Sequence, residues 1–271
     1  MPDCDHNCEK CNIECDSRKT SFLVEANPLS NIKKVIAVVS GKGGVGKSLT
    51  TSLLAVNAKR DGKNVAIIDA DVTGPSIPKA FGLNQMATAN ETTLFPVASK
   101  TGIEVMSLNL ITEDPTAPVI WRGPVISGLI KQFWSDVAYG DIDELFIDMP
   151  PGTGDVPLTV FQSIPVNGII VVTSPQDLVD LIVEKAVNMA NMMNIPILGV
   201  VENMSSYICP CCGETLHPFG QPSLAVAKKF NIGLTDSLPI DSKLASLVDQ
   251  GKIEEYEGSY LKTISEAIHK L

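Results

Sequence analysis

Long hydrophobic stretches are absent from this sequence, and so is an excess of positive charge. No apolar run reaches the roughly eighteen residues that a membrane-spanning helix needs. The 271 residues include 21 Lys and Arg against 31 Asp and Glu, which gives a formal net charge of −10. Because phosphate contacts need clustered basic side chains, this balance disfavours a nucleic-acid-binding face. We therefore expect a protein without nucleic acid or membrane partners.

Cysteine is lacking throughout the long middle of the chain. The seven cysteines form two groups, Cys4, Cys8, Cys11 and Cys15 near the N-terminus and Cys209, Cys211 and Cys212 in the second half. In a reducing compartment, clustered thiols indicate metal ligation more than disulfide bonds. The acidic, cysteine-rich N-terminus does not have the pattern of a secretory signal peptide. These features predict a soluble protein with a cytoplasmic location.

The first cysteine group belongs to residues 1–31, which we interpret as an N-terminal extension and linker. Its spacing is Cys-x3-Cys-x2-Cys-x3-Cys, and no apolar periodicity accompanies it. Folding there would therefore depend on a bound metal. Thiolates suit Zn²⁺ or an iron–sulfur cluster, and the spacing leaves both open.

A glycine-rich loop stands between a predicted strand and a predicted helix. The apolar run 35–39 is typical of a buried parallel strand, and residues 49–56 favour a helix. The loop reads Ser40, Gly41, Lys42, Gly43, Gly44, Val45, Gly46, Lys47 and Ser48. This spacing in this context predicts a P-loop. We therefore predict that residues 32–271 form an α/β P-loop domain with a mostly parallel sheet flanked by helices.

The loop composition suits the phosphates of ATP. Backbone N–H groups from Gly41 to Leu49 would converge on the phosphates, and side chains in place of the glycines would obstruct that approach. Lys47 would supply positive charge to the β- and γ-phosphates, and Ser48 would offer its hydroxyl to Mg²⁺. ATP and Mg²⁺ are therefore the expected cofactors.

Two other predicted strands deliver aspartates. One ends in Asp69 and Asp71, and the other ends in Asp148. Ligands of α/β proteins bind beyond the carboxyl ends of parallel strands. We predict that Asp148 holds Mg²⁺ as a Walker B residue and that the N–H of Gly152 contacts the γ-phosphate. Ordinary strand-ending turns are the alternative for each aspartate.

In the second cysteine group, Cys209 and Cys212 form a C-x-x-C motif. Alone, this motif is compatible with a redox pair, half of a zinc site or half of a cluster site. One chain supplies two thiolates there, whereas two chains around a twofold axis would supply four. That number suits a cluster that bridges a homodimer.

The order of these motifs resembles the Mrp-type, or ApbC-like, iron–sulfur carriers. The extra Lys42 inside the loop resembles the deviant P-loop of the superfamily that contains these carriers, the MinD and ParA ATPases and the nitrogenase iron protein. Over residues 33–250 the motifs are the P-loop, Trp121-Arg122-Gly123-Pro124, the Asp148 segment, Val201-Glu202-Asn203-Met204 and the C-x-x-C.

For the nucleotide site, the resemblance implies catalytic roles for Lys42, Lys47 and Asp71. Lys42 would reach across a homodimer to the partner's nucleotide, and Asp71 would orient the attacking water. By the same resemblance, Asn203 would contact the adenine. The segment with Pro239 and Asp241 would close over the base.

For the cysteines, the resemblance implies a [4Fe–4S] cluster bridging Cys209 and Cys212 of two chains. It implies an ATPase that carries such a cluster to apo-proteins, with an upstream scaffold as a donor. Cys4, Cys8, Cys11 and Cys15 would form a second metal or cluster site.

Three other functions stay open. A MinD- or ParA-like positioning ATPase would need a basic patch or a membrane-binding helix, whereas an electron-transfer ATPase would reduce a partner enzyme. A zinc module with a regulatory nucleotide site would not be an enzyme.

The C-terminal segment has Leu261, Ile264, Ile268 and Leu271 on one helical face, which we expect to dock on the core.

Three further expectations concern individual segments of the chain. Residues 84–101 are polar and weakly patterned, so we predict a surface excursion. After Pro124, a helix is predicted to bury one stripe made of Val125, Leu129, Phe133 and Val137. A further helix is predicted over 177–193.

Overall fold

The computed structural model of the chain describes residues 22–72, 74–112, 121, 123–175 and 177–271, and it describes no side chains for 177–182. The four N-terminal cysteines and Arg122 therefore lie outside the described residues.

Twelve strands occur in the described part of the chain. They are β1 (Ser30–Ser40), β2 (Val65–Asp69), β3 (Thr88–Ala89), β4 (Leu94–Phe95), β5 (Val97–Ala98), β6 (Glu104–Met106), β7 (Gly140–Asp148), β8 (Gly168–Thr173), β9 (Ile197–Asn203), β10 (Tyr207–Ile208), β11 (Thr215–Leu216) and β12 (Thr235–Leu238).

Eight α-helices occur within the same described ranges. They are α1 (Lys47–Arg60), α2 (Ile77–Ala80), α3 (Gly123–Ser135), α4 (Asp155–Ser163), α5 (Asp177–Met192), α6 (Ala225–Lys229), α7 (Ser242–Asp249) and α8 (Lys262–His269). Short 3₁₀ turns cover Leu108–Leu110 and Ile253–Glu255.

The main sheet has eight strands in the order β12-β9-β8-β1-β7-β2-β6-β5. All neighbouring pairs are parallel except β5 with β6 at one edge. Strands β3 and β4 form one small hairpin, and β10 and β11 form another. The predicted mostly parallel sheet flanked by helices is confirmed.

The central strands are continuous apolar runs because both of their faces are covered. In β1, every residue from Val35 to Ser40 is buried, whereas the first five residues are not. The buried half is the half that leads into the glycine-rich loop. The loop is therefore anchored in the best-packed part of the domain.

Residues 24–30 pack on the domain and do not form the free linker that we predicted. The Val24 N–H donates to Ser163 O (2.8 Å), and Trp134 Nε1 donates to Val24 O (2.8 Å). Strand β1 begins at Ser30, before the predicted boundary at residue 32.

The predicted stripe of α3 is partly wrong. The helix buries Ile130, Phe133 and Trp134, whereas Val125 is exposed. Val137 is buried, but it lies beyond the end of the helix, in a bridge to Leu94. In the first turn of α3, Ile126 packs against the core and Val125 does not, so the predicted stripe overestimates burial at Val125.

Residues 84–101 contain more structure than the predicted excursion. They form β3, β4 and the edge strand β5, and Val97 is buried. Helix α5 ends one residue before the prediction. Docking of the C-terminal helix is confirmed for Ile264, Ile268 and the preceding Leu261, which are buried, but Leu271 is exposed. Among the described residues, no helix combines the length and hydrophobicity needed to cross a membrane.

Candidate nucleotide site and cysteine hairpin

The parallel sheet brings the predicted nucleotide-binding residues to one edge. Strand β1 ends at Ser40, β2 at Asp69, β7 at Asp148 and β9 at Asn203. Asp69 and Asp148 are direct neighbours in the β2–β7 register. Because these strands are parallel, their carboxyl ends meet where α1 begins.

The backbone of the glycine-rich loop needs glycine at two positions. Gly44 and Gly46 have φ of +82° and +85°, a region that L-residues rarely adopt. A Cβ at Gly46 would also lie 2.0 Å from Asn203 Nδ2. A Cβ added at Gly43, in contrast, would lie in ordinary contact with Pro151, 3.9 Å from its Cγ. Gly46 therefore serves both the turn and a close approach.

The centre of the site is a buried ion pair between Lys47 and Asp148. Lys47 is 6% exposed and Asp148 is 0% exposed. Lys47 Nζ lies 2.8 Å from Asp148 Oδ1. The Ser48 hydroxyl donates to Asp148 Oδ2 (2.6 Å), and Thr51 Oγ1 donates to Oδ1 (2.9 Å). Hydroxyl and carboxylate oxygens suit Mg²⁺, so Ser48 and Asp148 fit the predicted metal site. Sequence analysis missed Thr51, one helical turn after Lys47.

Two further carboxylates approach the same lysine. Asp71 Oδ2 lies 3.7 Å from Lys47 Nζ. Asp69 is buried and accepts hydrogen bonds from the Ile77 N–H and the Ser107 hydroxyl. Burial, reinforced by the charge of Asp148, raises the pKa of Asp69 to about 8. This raised pKa favours the protonated, neutral form of Asp69 beside the ion pair of Lys47 and Asp148.

The other loop residues are placed as follows. Lys42 is exposed, and its carbonyl accepts a hydrogen bond from the Ser40 hydroxyl (3.1 Å). The Gly152 N–H donates to Ser40 O (2.9 Å). Contact of Gly152 with a γ-phosphate and of Lys42 with a partner's nucleotide stay predictions.

The predicted base-contacting residues already have partners within the chain. Asn203 Nδ2 donates to Val45 O (2.9 Å). Asp241 caps α7 and accepts a hydrogen bond from the Tyr256 hydroxyl (2.7 Å). Burial opposes ionisation of Asp241, but these hydrogen bonds hold its pKa below the ordinary value. Pro239 directly follows Leu238, the residue of β12 that pairs with Asn203. Base contact by these residues stays a prediction.

The cysteine motif lies at the tip of the β10–β11 hairpin. Cys209 is half-buried, Cys211 and Cys212 are exposed, and all three are free thiols. Hydrogen bonds from the backbone N–H groups of Cys212 and Cys211 lower the pKa of Cys209. A lowered pKa favours the thiolate, which is the metal-binding form.

One described chain does not complete a metal site at this hairpin. Among the described residues, no three His, Cys, Asp or Glu side chains are grouped as metal ligands would be. The role of Cys209 and Cys212 as cluster ligands stays a prediction.

Two polar residues that sequence analysis did not assign connect the region at the end of β9 to the chain that follows the cysteines. His217 Nδ1 lies 2.7 Å from Ser205 O. Glu202 Oε1 accepts hydrogen bonds from the N–H groups of Ser223 (3.2 Å) and Leu224 (2.9 Å). Glu202 stands in the Val-Glu-Asn-Met motif beside Asn203, and this position was the available signal.

A glycine-rich loop that opens α1, with strand-end aspartates around its lysine, defines a P-loop NTPase. Comparison with known proteins identifies the family. The family model for the NUBPL iron-transfer P-loop NTPases matches residues 31–271. The chain belongs to that family.

Individual relatives agree with this assignment. An iron–sulfur cluster carrier protein of Methanocaldococcus jannaschii is 42% identical over 260 residues, which are 93% of this chain and 90% of the relative. A nucleotide-binding protein of Archaeoglobus fulgidus, solved in complex with ADP, is 44% identical with a TM-score of 0.74. The match covers 86% of this chain and 94% of that one.

A more distant structure shares the fold alone. The cell division ATPase MinD of Pyrococcus furiosus is 18% identical with a TM-score of 0.63, and the match covers 88% of this chain and 97% of MinD. The predicted resemblance to iron–sulfur carriers within the MinD and ParA superfamily is confirmed.

Proposed function

We propose that this chain is an ATPase that carries an iron–sulfur cluster. Two chains form a homodimer, bind a [4Fe–4S] cluster between their Cys209–Cys212 pairs and deliver it to apo-proteins. The observation that carries this proposal is the exposed C-x-x-C hairpin, which continues directly from the strand that contacts the P-loop. Membership of an iron-transfer family supports the same conclusion.

On the nucleotide side, the residues have distinct tasks. Lys47 would exchange part of its contact with Asp148 for the β- and γ-phosphates, which carry more negative charge. Asp71, 3.7 Å from Lys47 Nζ, would orient the attacking water through its carboxylate. Ser48 and Asp148 would hold Mg²⁺, which neutralises phosphate charge when bound.

On the cargo side, the hairpin supplies ligands without enclosing them. Cys212 is exposed, and Cys209 is predisposed to the thiolate form. A [4Fe–4S] cluster usually takes four thiolates, so the second pair would come from the partner chain. An exposed bridging cargo can leave without unfolding of the domain, as a carrier requires.

The buried C-terminal helix argues against the positioning ATPase. A membrane-binding helix needs a free apolar face, and here Leu261, Ile264 and Ile268 are covered by the core. The first turn of α8 carries an exposed Lys262 paired with Glu266 at 3.9 Å, which is not a basic patch.

The decisive experiment is anaerobic reconstitution of the full-length chain with Cys4, Cys8, Cys11 and Cys15 changed to serine. This variant keeps residues 24–30, which pack on the domain. We expect about four iron and four sulfide per dimer, with a [4Fe–4S] Mössbauer signature. Restoring the four cysteines should add a second, separable metal or cluster site.

Single changes in that background supply the controls. Cys209→Ser or Cys212→Ser should abolish iron binding, whereas Cys211→Ser should largely preserve it. If the reconstituted protein binds one zinc per monomer and no iron, the carrier hypothesis is wrong and the zinc-module hypothesis takes its place. A cluster that reduces a partner enzyme but is never transferred would favour the electron-transfer ATPase.

A further inference from the structure

Four consecutive residues at the end of β9 and directly after it connect the P-loop with the chain beyond the cysteine hairpin. Glu202, Asn203, Met204 and Ser205 form this segment, which we call the strand-end bracket. Asn203 contacts the P-loop, whereas Ser205 contacts His217, directly after the cysteine hairpin, and Glu202 contacts Ser223 and Leu224 further along the chain. The bracket therefore connects the nucleotide edge with the end of the hairpin through hydrogen bonds.

The P-loop end of this connection is a single peptide unit. Asn203 Nδ2 donates to the Val45 carbonyl (2.9 Å). The N–H of Gly46 belongs to the same planar unit and points the opposite way from that carbonyl. A phosphate accepting from the Gly46 N–H would polarise the unit and strengthen the hydrogen bond to Asn203. Nucleotide binding would thereby change the strength of the hydrogen bond that the Asn203 amide donates.

The middle of the bracket is held in an uncommon conformation. Asn203 Oδ1 accepts from the Met204 N–H (2.9 Å), and Met204 has φ of +57°. A non-glycine residue in the left-handed region persists only where its surroundings determine it. Ser205 is then fixed by two hydrogen bonds to Leu238 O, from its N–H and its hydroxyl, both 3.0 Å.

The hairpin end of the connection is His217. Its Nδ1 lies 2.7 Å from Ser205 O, and a carbonyl oxygen only accepts, so Nδ1 carries the proton. His217 directly follows β11, the strand that returns from the cysteines. The carboxylate of Glu202 holds the next part of the chain through the N–H groups of Ser223 and Leu224. The Ser205 contact thus attaches the end of the returning strand to the bracket, and the Glu202 contacts attach the chain that follows it.

We propose that His217 is a positioning residue that transmits nucleotide occupancy to the thiols of Cys209 and Cys212. The path runs from the Val45–Gly46 peptide through Asn203 to Ser205, and from Ser205 O to His217. It rests on the proposed function, in which the same thiols bind the cluster, and it names the contact through which ATP controls them. His217 acts through its Nδ1–H and does not ligate the cluster.

The test measures thiol reactivity in the full chain without a cluster. Rates of iodoacetamide alkylation at the Cys209 and Cys212 peptides are followed by mass spectrometry, with and without the ATP analogue AMP-PNP and Mg²⁺. In the unmodified chain we expect the nucleotide to change these rates about fivefold or more. In His217→Ala, each cysteine should be alkylated at the same rate with and without AMP-PNP. The affinity for AMP-PNP should stay within about twofold, because the P-loop is untouched.

Two variants separate coupling from simple loosening of the hairpin. His217→Asn places an amide N–H at the position of Nδ1 and should restore the nucleotide effect. Thr215→Ala, on the exposed side of β11, should leave it unchanged. If His217 had a purely structural role, His217→Ala would raise the alkylation rates with and without AMP-PNP by the same factor. The ratio of the rates with and without nucleotide would then be preserved.

The proposal is overturned if His217→Ala keeps the nucleotide effect, if His217→Asn does not restore it, or if the unmodified chain shows none. None of these outcomes affects iron binding at Cys209 and Cys212. Conversely, a failed reconstitution would remove the carrier function and leave the alkylation result standing.

Discussion

The nucleotide edge and the cysteine hairpin differ in how completely one chain builds them. At the nucleotide edge, Lys47 and Asp148 are buried, and each of the surrounding hydroxyls has a partner. At the hairpin, two strands of two residues present the half-buried Cys209 and the exposed Cys212, and Ile208 is 62% exposed. A two-stranded hairpin is marginally stable by itself. Within one chain, the polar groups around Lys47 are therefore paired, whereas the thiols at the hairpin tip have no grouped ligands among the described residues.

This difference suits the tasks of the two regions. Phosphate binding needs donors that are already in place, because reorganisation at the moment of binding or reaction costs free energy. A cargo site must instead open to a recipient, and low local stability is typical of elements that move. The following predictions test the contrast, beginning with the largest expected effect.

Lys47→Ala should damage the nucleotide edge most. It would remove the partner of the buried Asp148 and lower the free energy of unfolding by about 3 kcal/mol, with loss of ATP binding. Chemical denaturation and nucleotide titration measure both effects. Lys42→Ala is the control: its side chain is exposed, so stability and ATP binding should persist while dimer-dependent hydrolysis is lost. Normal turnover of Lys42→Ala would contradict the cross-dimer role.

Asp71→Asn should separate nucleotide binding from hydrolysis. The amide keeps the size of the side chain but not the charge that orients water, so hydrolysis should fall by about 10²–10⁴ with ATP still bound. Single-turnover phosphate release measures the rate. Asp249→Asn, at the exposed end of α7, is the matched control. Unchanged hydrolysis in Asp71→Asn would assign Asp71 a structural role.

Asp69 should make the stability of the nucleotide edge depend on pH. Its pKa is raised to about 8, above the unfolded value of 3.8, so the folded state binds more protons between these values. This stabilising contribution is complete below about pH 4 and is lost as the pH rises through about 8. The loss should exceed about 1.4 kcal/mol, which corresponds to one pKa unit.

Denaturation of the nucleotide-free chain in EDTA between pH 5 and 9 would measure this loss. Asp69→Asn keeps the shape of the neutral acid and should flatten the profile. Equal pH profiles for the two proteins would show that Asp69 is ionised in the folded state throughout this range.

The smallest effects compare the same substitution in both regions. Ile147→Val removes one methyl group from a fully buried position in β7 and should lower the free energy of unfolding by about 0.5–1.5 kcal/mol. Ile208→Val, at the exposed hairpin, should change it by less than about 0.5 kcal/mol. A larger effect at Ile208 in solution would show that the hairpin is covered there, as it would be in a dimer.

Much of the nucleotide edge could be predicted from the sequence. The loop, the carboxylates at strand ends and the parallel sheet follow from motif spacing and apolar periodicity. The predicted stripe of α3 is partly wrong because helical spacing does not show which residues of the first turn other segments cover, and Val125 is exposed there. Residues 24–30 were misjudged because their hydrogen bonds to Trp134 and Ser163 join positions more than a hundred residues apart.

The sequence by itself determined the class of the protein, its P-loop, its strand-end aspartates and its two cysteine groups. These features depend on residue type and local spacing, which are properties of the chain. Only the tertiary structure decided the partner of each polar side chain. It placed Asn203 on Val45 O, neutralised Asp69 by burial and joined His217 to Ser205. Such pairings depend on which distant segments pack together and on how much water they exclude. Local residue spacing determines neither the packing of distant segments nor the exclusion of water.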